Sequence, residues 1–272
     1  LTSIQNAAAA PGPTDRVWLD DSPNPLMPVD VAVNPERGLV YVVNQGAGHV
    51  WIISGTEYIK TIDPPPEMPE GGCPGETPNG QCLNSVNVSP FTGKAYATQW
   101  RVDRLQIISG TEWIDWVFGG AGPANTVMHP YTDTVYALSR WCYDSDRRGV
   151  TVIKGDADKV LIHNLFPDTG CVNPINGYAY IPDALEDEVL VIDDMTPIAS
   201  IPVGSSPNGA ACAKSGHVYI VNSGSNPATV SVITGTQVIA DIPVGQSTTN
   251  LGVHCMWAVS YTHLTLPTKR IV

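Results

Sequence analysis

The side chains best equipped for chemistry gather in two short stretches, Trp100-Arg101 and Arg140-Trp141-Cys142-Tyr143-Asp144-Ser145-Asp146-Arg147-Arg148. Aromatic faces cover apolar ligand surface, while guanidinium and carboxylate groups fix orientation, a combination suited to a carbohydrate or peptide. Trp100, Arg101, Arg140, Trp141, Tyr143 and Arg147 are therefore the candidate ligand-binding residues. A structural account competes with this one, in which Arg147 and Arg148 pair with the acids Asp183, Glu186, Asp187 and Glu188. Asp144 and Asp146, with Asp183 and Glu186, offer hard oxygen ligands to calcium, although two spaced aspartates fall short of an EF-hand loop. No other cofactor is implied.

Catalytic chemistry is not written in any motif. There is no Gly-x-Ser-x-Gly elbow and no His-Glu-x-x-His helix. The histidines (His49, His129, His163, His217, His254 and His263) fit hydrogen-bonded structural roles better than a triad. Gly119-Gly120-Ala121-Gly122 follows a strand but opens no helix, so it reads as a turn rather than a phosphate loop. Asn87-Val88-Ser89 has the pattern of a glycosylation acceptor but falls within an expected buried strand. No catalytic residue is assigned.

What must position the two stretches is a repeat. Asn34-Pro35-Glu36-Arg37-Gly38-Leu39-Val40-Tyr41-Val42-Val43-Asn44 returns as Ser89–Gln99, His129–Tyr136, Asn173–Tyr180 and, worn, Cys212–Asn222. Leu251-Gly252-Val253-His254 opens one more copy. Proline pre-sets φ early in a tight turn and glycine takes the left-handed position that closes it. In the first unit the pattern predicts strand a over Asp30–Asn34, strand b over Leu39–Asn44, strand c over His49–Ser54 and strand d over Tyr58–Asp63. Runs rich in Val, Ile and Tyr suit sheets covered on both faces. A period of roughly 40 residues with four short strands per unit is that of a β-propeller blade, stable only when stacked on its neighbours. The expected fold is thus all-β: five complete four-stranded antiparallel blades with partial blades at both ends, from an intact protein of six to eight. An all-β sandwich with regular turns is the alternative.

Tyr41-Val42-Val43-Asn44 and Tyr219-Ile220-Val221-Asn222 resemble the Tyr-Val-Thr-Asn tetrad of the YVTN-type β-propellers. Ile201-Pro202-Val203-Gly204 and Ile242-Pro243-Val244-Gly245 resemble the strand-d ending of the same repeat. The resemblance, over about residues 15–257, implies a secreted or surface propeller. It implies a non-catalytic binding or scaffold module for a protein, peptide or carbohydrate, within a larger surface protein. Related propellers include lyases and cofactor-dependent dehydrogenases, so an enzyme with its site at the pore mouth is the second reading.

The bulk of the sequence narrows the partners. A net charge of −12 with 14 Lys plus Arg opposes nucleic acid and anionic membranes, both of which call for basic surface. No apolar run is long enough to span a bilayer. With the blades drawn in place, the six cysteines pair plausibly as Cys73–Cys82, Cys142–Cys171 and Cys212–Cys255, pointing to an extracellular, cell-surface or periplasmic location, with scattered buried thiols as the alternative.

Three further expectations concern organisation. Residues 1–14 read as a linker remnant, residues 15–257 as the propeller, and residues 258–272 (with VSYTHLTLPT over Val259–Thr268 followed by Lys269–Val272) as a non-native tail that resembles a translated sequencing adapter, the alternative being a genuine closing strand over Trp257–His263. Asp15–Asp21 reads as a strand d that either completes the last blade or ends a missing one. The Pro- and Gly-rich insertion Asp63–Leu83, with Glu67, Glu70 and Glu76, joins the b–c loops on one rim, where a rigid scaffold presents binding residues.

Overall fold

The computed structural model describes residues 27–45, 48–63, 83–140, 148–155 and 158–245, and every regular element among them is a strand. β1 (Pro28–Asn34), β2 (Leu39–Asn44), β3 (His49–Ser54) and β4 (Glu57–Ile62) make blade one. β5 (Leu83–Val88), β6 (Lys94–Gln99), β7 (Arg104–Ser109) and β8 (Glu112–Phe118) make blade two. β9 (Pro123–Met128), β10 (Thr134–Ser139), β11 (Gly149–Lys154) and β12 (Asp158–His163) make blade three. β13 (Cys171–Val172), β14 (Ala179–Asp183), β15 (Glu188–Asp193) and β16 (Thr196–Pro202) make blade four. β17 (Pro207–Cys212), β18 (Val218–Asn222), β19 (Ala228–Thr234) and β20 (Gln237–Gly245) make blade five. Each is an antiparallel sheet in chain order, a to d, and the a strands of successive blades lie side by side.

Alternation of side chains along each strand sends one set toward the preceding blade and the other toward the next. Four apolar clusters fill the four seams. Tyr41, Val43, Val50, Ile52 and Ile62 of blade one meet Leu83, Val86, Ala95, Ala97 and Ile108 of blade two. Tyr180, Val189, Val191 and Ile201 of blade four meet Ala210, Val218, Ile220 and Ile233 of blade five in the same manner. Burial on both faces is why strands b and c read as unbroken apolar runs.

The conserved look of the repeat comes from polar fastenings at these seams. The strand-b tyrosine reaches the c–d turn of the next blade: Tyr41 donates to the Gly110 carbonyl, Tyr136 to Asp194 and Tyr180 to Gly235, at 2.9, 3.1 and 2.9 Å. The residue closing strand a reaches the a–b turn of the next blade. Asn34 donates to the Gly93 carbonyl at 2.8 Å and Asn173 to that of Gly216 at 2.8 Å. His129 does the same work, its Nε2 lying 3.1 Å from the Gly177 carbonyl while the Tyr131 amide donates to Nδ1. This fixes the neutral ring with its proton on Nε2, and burial pushes its pKa down. The expected structural histidine is found there.

A third series holds the loops. The last residue of strand b is fully buried in every blade: Asn44, Gln99, Ser139, Asp183 and Asn222. Asn44 Oδ1 accepts from the Met27 amide, Ser139 Oγ donates to the Gly119 carbonyl, and Asp183 Oδ1 accepts from the Phe166 and Leu185 amides. Each of these three therefore pins the chain entering strand a, and the loops beside it inherit the rigidity of the sheet.

Two cysteine assignments are corrected. Cys171 bonds Cys212, across a Cα–Cα distance of 5.7 Å, so neither Cys142–Cys171 nor Cys212–Cys255 forms as expected. The reason is parity: Cys171 stands two residues before its a–b turn and points to blade five, whereas Cys212 stands one residue before its own and points to blade four. Cys73, Cys82, Cys142 and Cys255 lie outside the described residues, as do residues 1–14, Asp15–Asp21, most of the Asp63–Leu83 insertion and residues 258–272.

Candidate functional site

In an up-and-down blade the b–c and d–a connections emerge on one face, while the a–b and c–d turns emerge on the other. The first of these, the loop face, carries the candidate residues. Gln99 ends strand b of blade two, and Trp100 and Arg101 follow it immediately in the b–c turn, where the Arg101 guanidinium lies 5.1 Å from the Trp100 ring centroid. Asp103, in the left-handed conformation, closes this turn and accepts from the Gly122 amide through Oδ1 at 2.8 Å. Its own carbonyl accepts from the Gly119 amide. The Gly119–Gly122 stretch is thus a buried connection that fastens the b–c turn to the entry of β9, with positive φ at Gly120 and Gly122. It opens a strand, as expected of a turn rather than a phosphate loop.

Across the seam, Arg140 leaves the end of strand b in blade three. Its Nη1 pairs with Asp168 Oδ1 at 2.5 Å, and its guanidinium lies 4.8 Å from the Phe166 ring. Arg148, where the chain re-enters strand c, lies 5.3 Å from the same ring. Phe166 is itself held by its amide bond to Asp183. Arg140 is thus paired with Asp168 of the d–a loop, a carboxylate outside the expected blade-four acids. Phe166 and Asp168 were missed in the sequence, where only their place just after strand d marked them as rim residues.

Trp141, Tyr143, Arg147, Asp144 and Asp146 lie outside the described residues. Of the candidate calcium ligands, Glu186 is exposed in the b–c turn of blade four, and Asp183 is fully buried with one oxygen taken by two backbone amides. Among the described residues, no group of three or more His, Cys, Asp and Glu side chains gathers. Nor does Asn87 project to solvent: its amide donates to the carbonyl and hydroxyl of Thr126 across the seam between blades two and three.

One histidine approaches a carboxylate on the loop face. His49 Nδ1 lies 3.8 Å from Asp63 Oδ1, and its Nε2 lies 3.3 Å from the Asn44 amide nitrogen. The ring is buried and tilted against Trp51 at 5.2 Å, while Asp63 is exposed. This pair stands at the outer strands of blade one, away from the inner a strands.

No family model matches the chain, and no curated protein matches it. Solved structures do. A streptogramin B lyase is similar with a TM-score of 0.60 at 13% identity, over 82% of this chain and 71% of that one. The hydrazine synthase of Kuenenia stuttgartiensis gives 0.59 at 17% identity, over 81% and 76%. A chain of the nidogen/laminin complex gives 0.54 at 13% identity, over 80% and 81%. Identities this low speak for the fold alone, and the fold is a β-propeller. Enzymes and a protein of the nidogen/laminin complex appear side by side among these neighbours, so architecture does not choose between the two readings.

Proposed function

We propose that this chain is an extracytoplasmic propeller of the YVTN type whose loop face binds a protein, peptide or carbohydrate ligand without catalysis. The observation that carries this reading is the placement of Trp100–Arg101 and the Arg140–Phe166–Asp168 cluster. Aromatic and charged groups stand on the b–c and d–a connections of adjacent blades, Trp100 and Arg140 each following a buried strand-b terminus and Phe166 bonded to another. Rooted side chains lose little conformational entropy on binding, which favours affinity. Trp141, Tyr143 and Arg147 follow Arg140 in the sequence of the same b–c connection and complete the proposed ligand-binding set. The Cys171–Cys212 bond supports an oxidising location, and no helix of the described residues is long and apolar enough to cross a membrane.

The test is a screen of glycan and peptide arrays followed by titration of the best ligand. Changing Trp100 or Arg140 to Ala should weaken binding at least tenfold with the melting temperature held. A ligand bound equally by parent and variants would place the binding surface elsewhere. The second reading, an enzyme, draws on His49 beside Asp63. If so, a conversion of some ligand would vanish in His49→Gln and survive in Trp100→Ala.

A further inference from the structure

The outer strands of the five blades are alike except in one. In β4, β8, β16 and β20 the pairing with strand c slips by one residue. Ile59, Ile114, Ile198 and Ile239 are left as the extra residue of a β-bulge, all four exposed. Their hairpins close on partners three residues apart, such as Ser54 with Glu57. The hairpin of blade three closes on Lys154 and Asp158, four apart, and β12 then pairs with β11 without a shift as far as His163. Blade three thus carries the additional residue in its turn, where the other four carry it in the strand. A bulge bends an edge and breaks its ladder, which is how natural sheets keep further strands away. β16 and β20 also contain proline (Pro197, Pro202 and Pro243), which offers no amide. β12 has neither device: Asp158-Lys159-Val160-Leu161-Ile162-His163 is an unbroken strand with a Val-Leu-Ile centre.

The free edge has a defined polarity. The Asn164 amide donates to the Arg148 carbonyl at 3.1 Å, one step beyond the pair of His163 with Gly149. Antiparallel ladders alternate, so residues 158, 160 and 162 turn their amides and carbonyls to β11, while Lys159, Leu161 and His163 turn theirs outward. Among the described residues no strand pairs with this edge. We propose that it is a β-augmentation site for an extended segment of a partner protein in which acidic and apolar residues alternate. An added strand lies beside Lys159, which is exposed with its Nζ 5.3 Å from the Phe118 ring, and beside Val160, an exposed apolar residue. Lys159 selects an acid and Val160 an apolar residue at the facing positions. A second copy of this chain fits less well. Pairing β12 with itself about a two-fold axis sets residues of equal parity opposite each other, so Lys159 never meets Asp158. Each copy also brings a net charge of −12. The edge uses none of the loop-face residues.

The test pans random linear phage-displayed peptides against the full 272-residue chain and titrates the selected sequences. Augmentation predicts selected peptides in which acidic and apolar residues alternate, and whose binding slows amide exchange at Lys159, Leu161 and His163. Leu161→Pro removes one outward amide and leaves the inward ladder intact, so it should weaken those peptides by about tenfold or more. Lys159→Glu should weaken them as well, by reversing the charge that the acid meets. Ile114→Ala, on a bulged edge, should bind as the parent does. Should Leu161→Pro not fold, the exchange pattern of the parent and the Lys159→Glu titration decide. If no selected peptide protects those amides, or if the protecting peptides bind Lys159→Glu undiminished, the proposal is wrong. A parental dimer with the same three amides protected would also overturn it, assigning the edge to a second copy.

Discussion

Single residues explain why the repeat looks as it does. The strand-b tyrosine combines a buried ring with one hydrogen bond into the next blade, and burial raises its pKa in Tyr41, Tyr136 and Tyr180. The two contributions separate by mutation. Tyr180→Phe should cost about 1 kcal/mol, the worth of the bond to the Gly235 carbonyl. Tyr180→Ala should cost about 3–5 kcal/mol, since the cavity is added. Urea titration of both reads the difference, and equal costs would mean that the hydroxyl carries the seam. His129 supplies a pH-dependent case. Its ring is held neutral by burial and by the Tyr131 amide on Nδ1, so its folded pKa lies below the unfolded value. The unfolded chain therefore binds the proton first. Stability is fully present above an unfolded pKa of about 6.5 and is lost as pH falls through it toward the folded value. His129→Asn keeps a donor for Gly177, as Asn34 and Asn173 do for their own partners, and should flatten stability between pH 7 and 5. Parallel profiles for parent and variant would refute the assignment.

Elements show how far the sequence could be read. Strand order and blade identity were legible because Pro, Gly or both mark each a–b turn and tyrosine each strand b. The expected ranges Leu39–Asn44 and His49–Ser54 are those observed. The disulfide does not follow from rim position, which sets a cysteine's height along its blade but not the face it occupies. A residue's parity relative to its own turn sets which neighbour it meets, and that parity was present in the sequence for Cys171 and Cys212. The buried strand-b termini were legible only for Asn44 and Asn222, which share a residue type. Gln99, Ser139 and Asp183 occupy the same place with other chemistry, and only coordinates reveal the shared position. For the disulfide itself, reduction or Cys171→Ser should lower stability by about 2–4 kcal/mol by joining two inner strands 41 residues apart. A Cys142→Ser variant should leave the Cys171–Cys212 bond intact by peptide mapping. Loss of that bond, or an unchanged melt in reductant, would contradict the assignment.

At the scale of the molecule, the two faces of the propeller have different work. The a–b and c–d turns of the turn face are consumed by fastenings between blades: Gly93, Gly110, Gly177, Gly216 and Gly235 all accept from side chains of the preceding blade. The loop face is fastened from beneath by strand-b termini and presents Trp100, Arg101, Arg140 and Phe166 above them. Rigidity below and varied chemistry above is the arrangement that the proposed recognition surface calls for. The loops that carry these residues were legible from loop length and composition, whereas a ligand is not encoded in any spacing of residues. The measurement that bears most directly on this account is ligand titration of the parent beside Trp100→Ala, Arg140→Ala and a turn-face control, Phe91→Ala. The account predicts at least a tenfold loss for the first two and none for the control, with all melting temperatures alike. Loss confined to Phe91→Ala would put recognition on the turn face and contradict it.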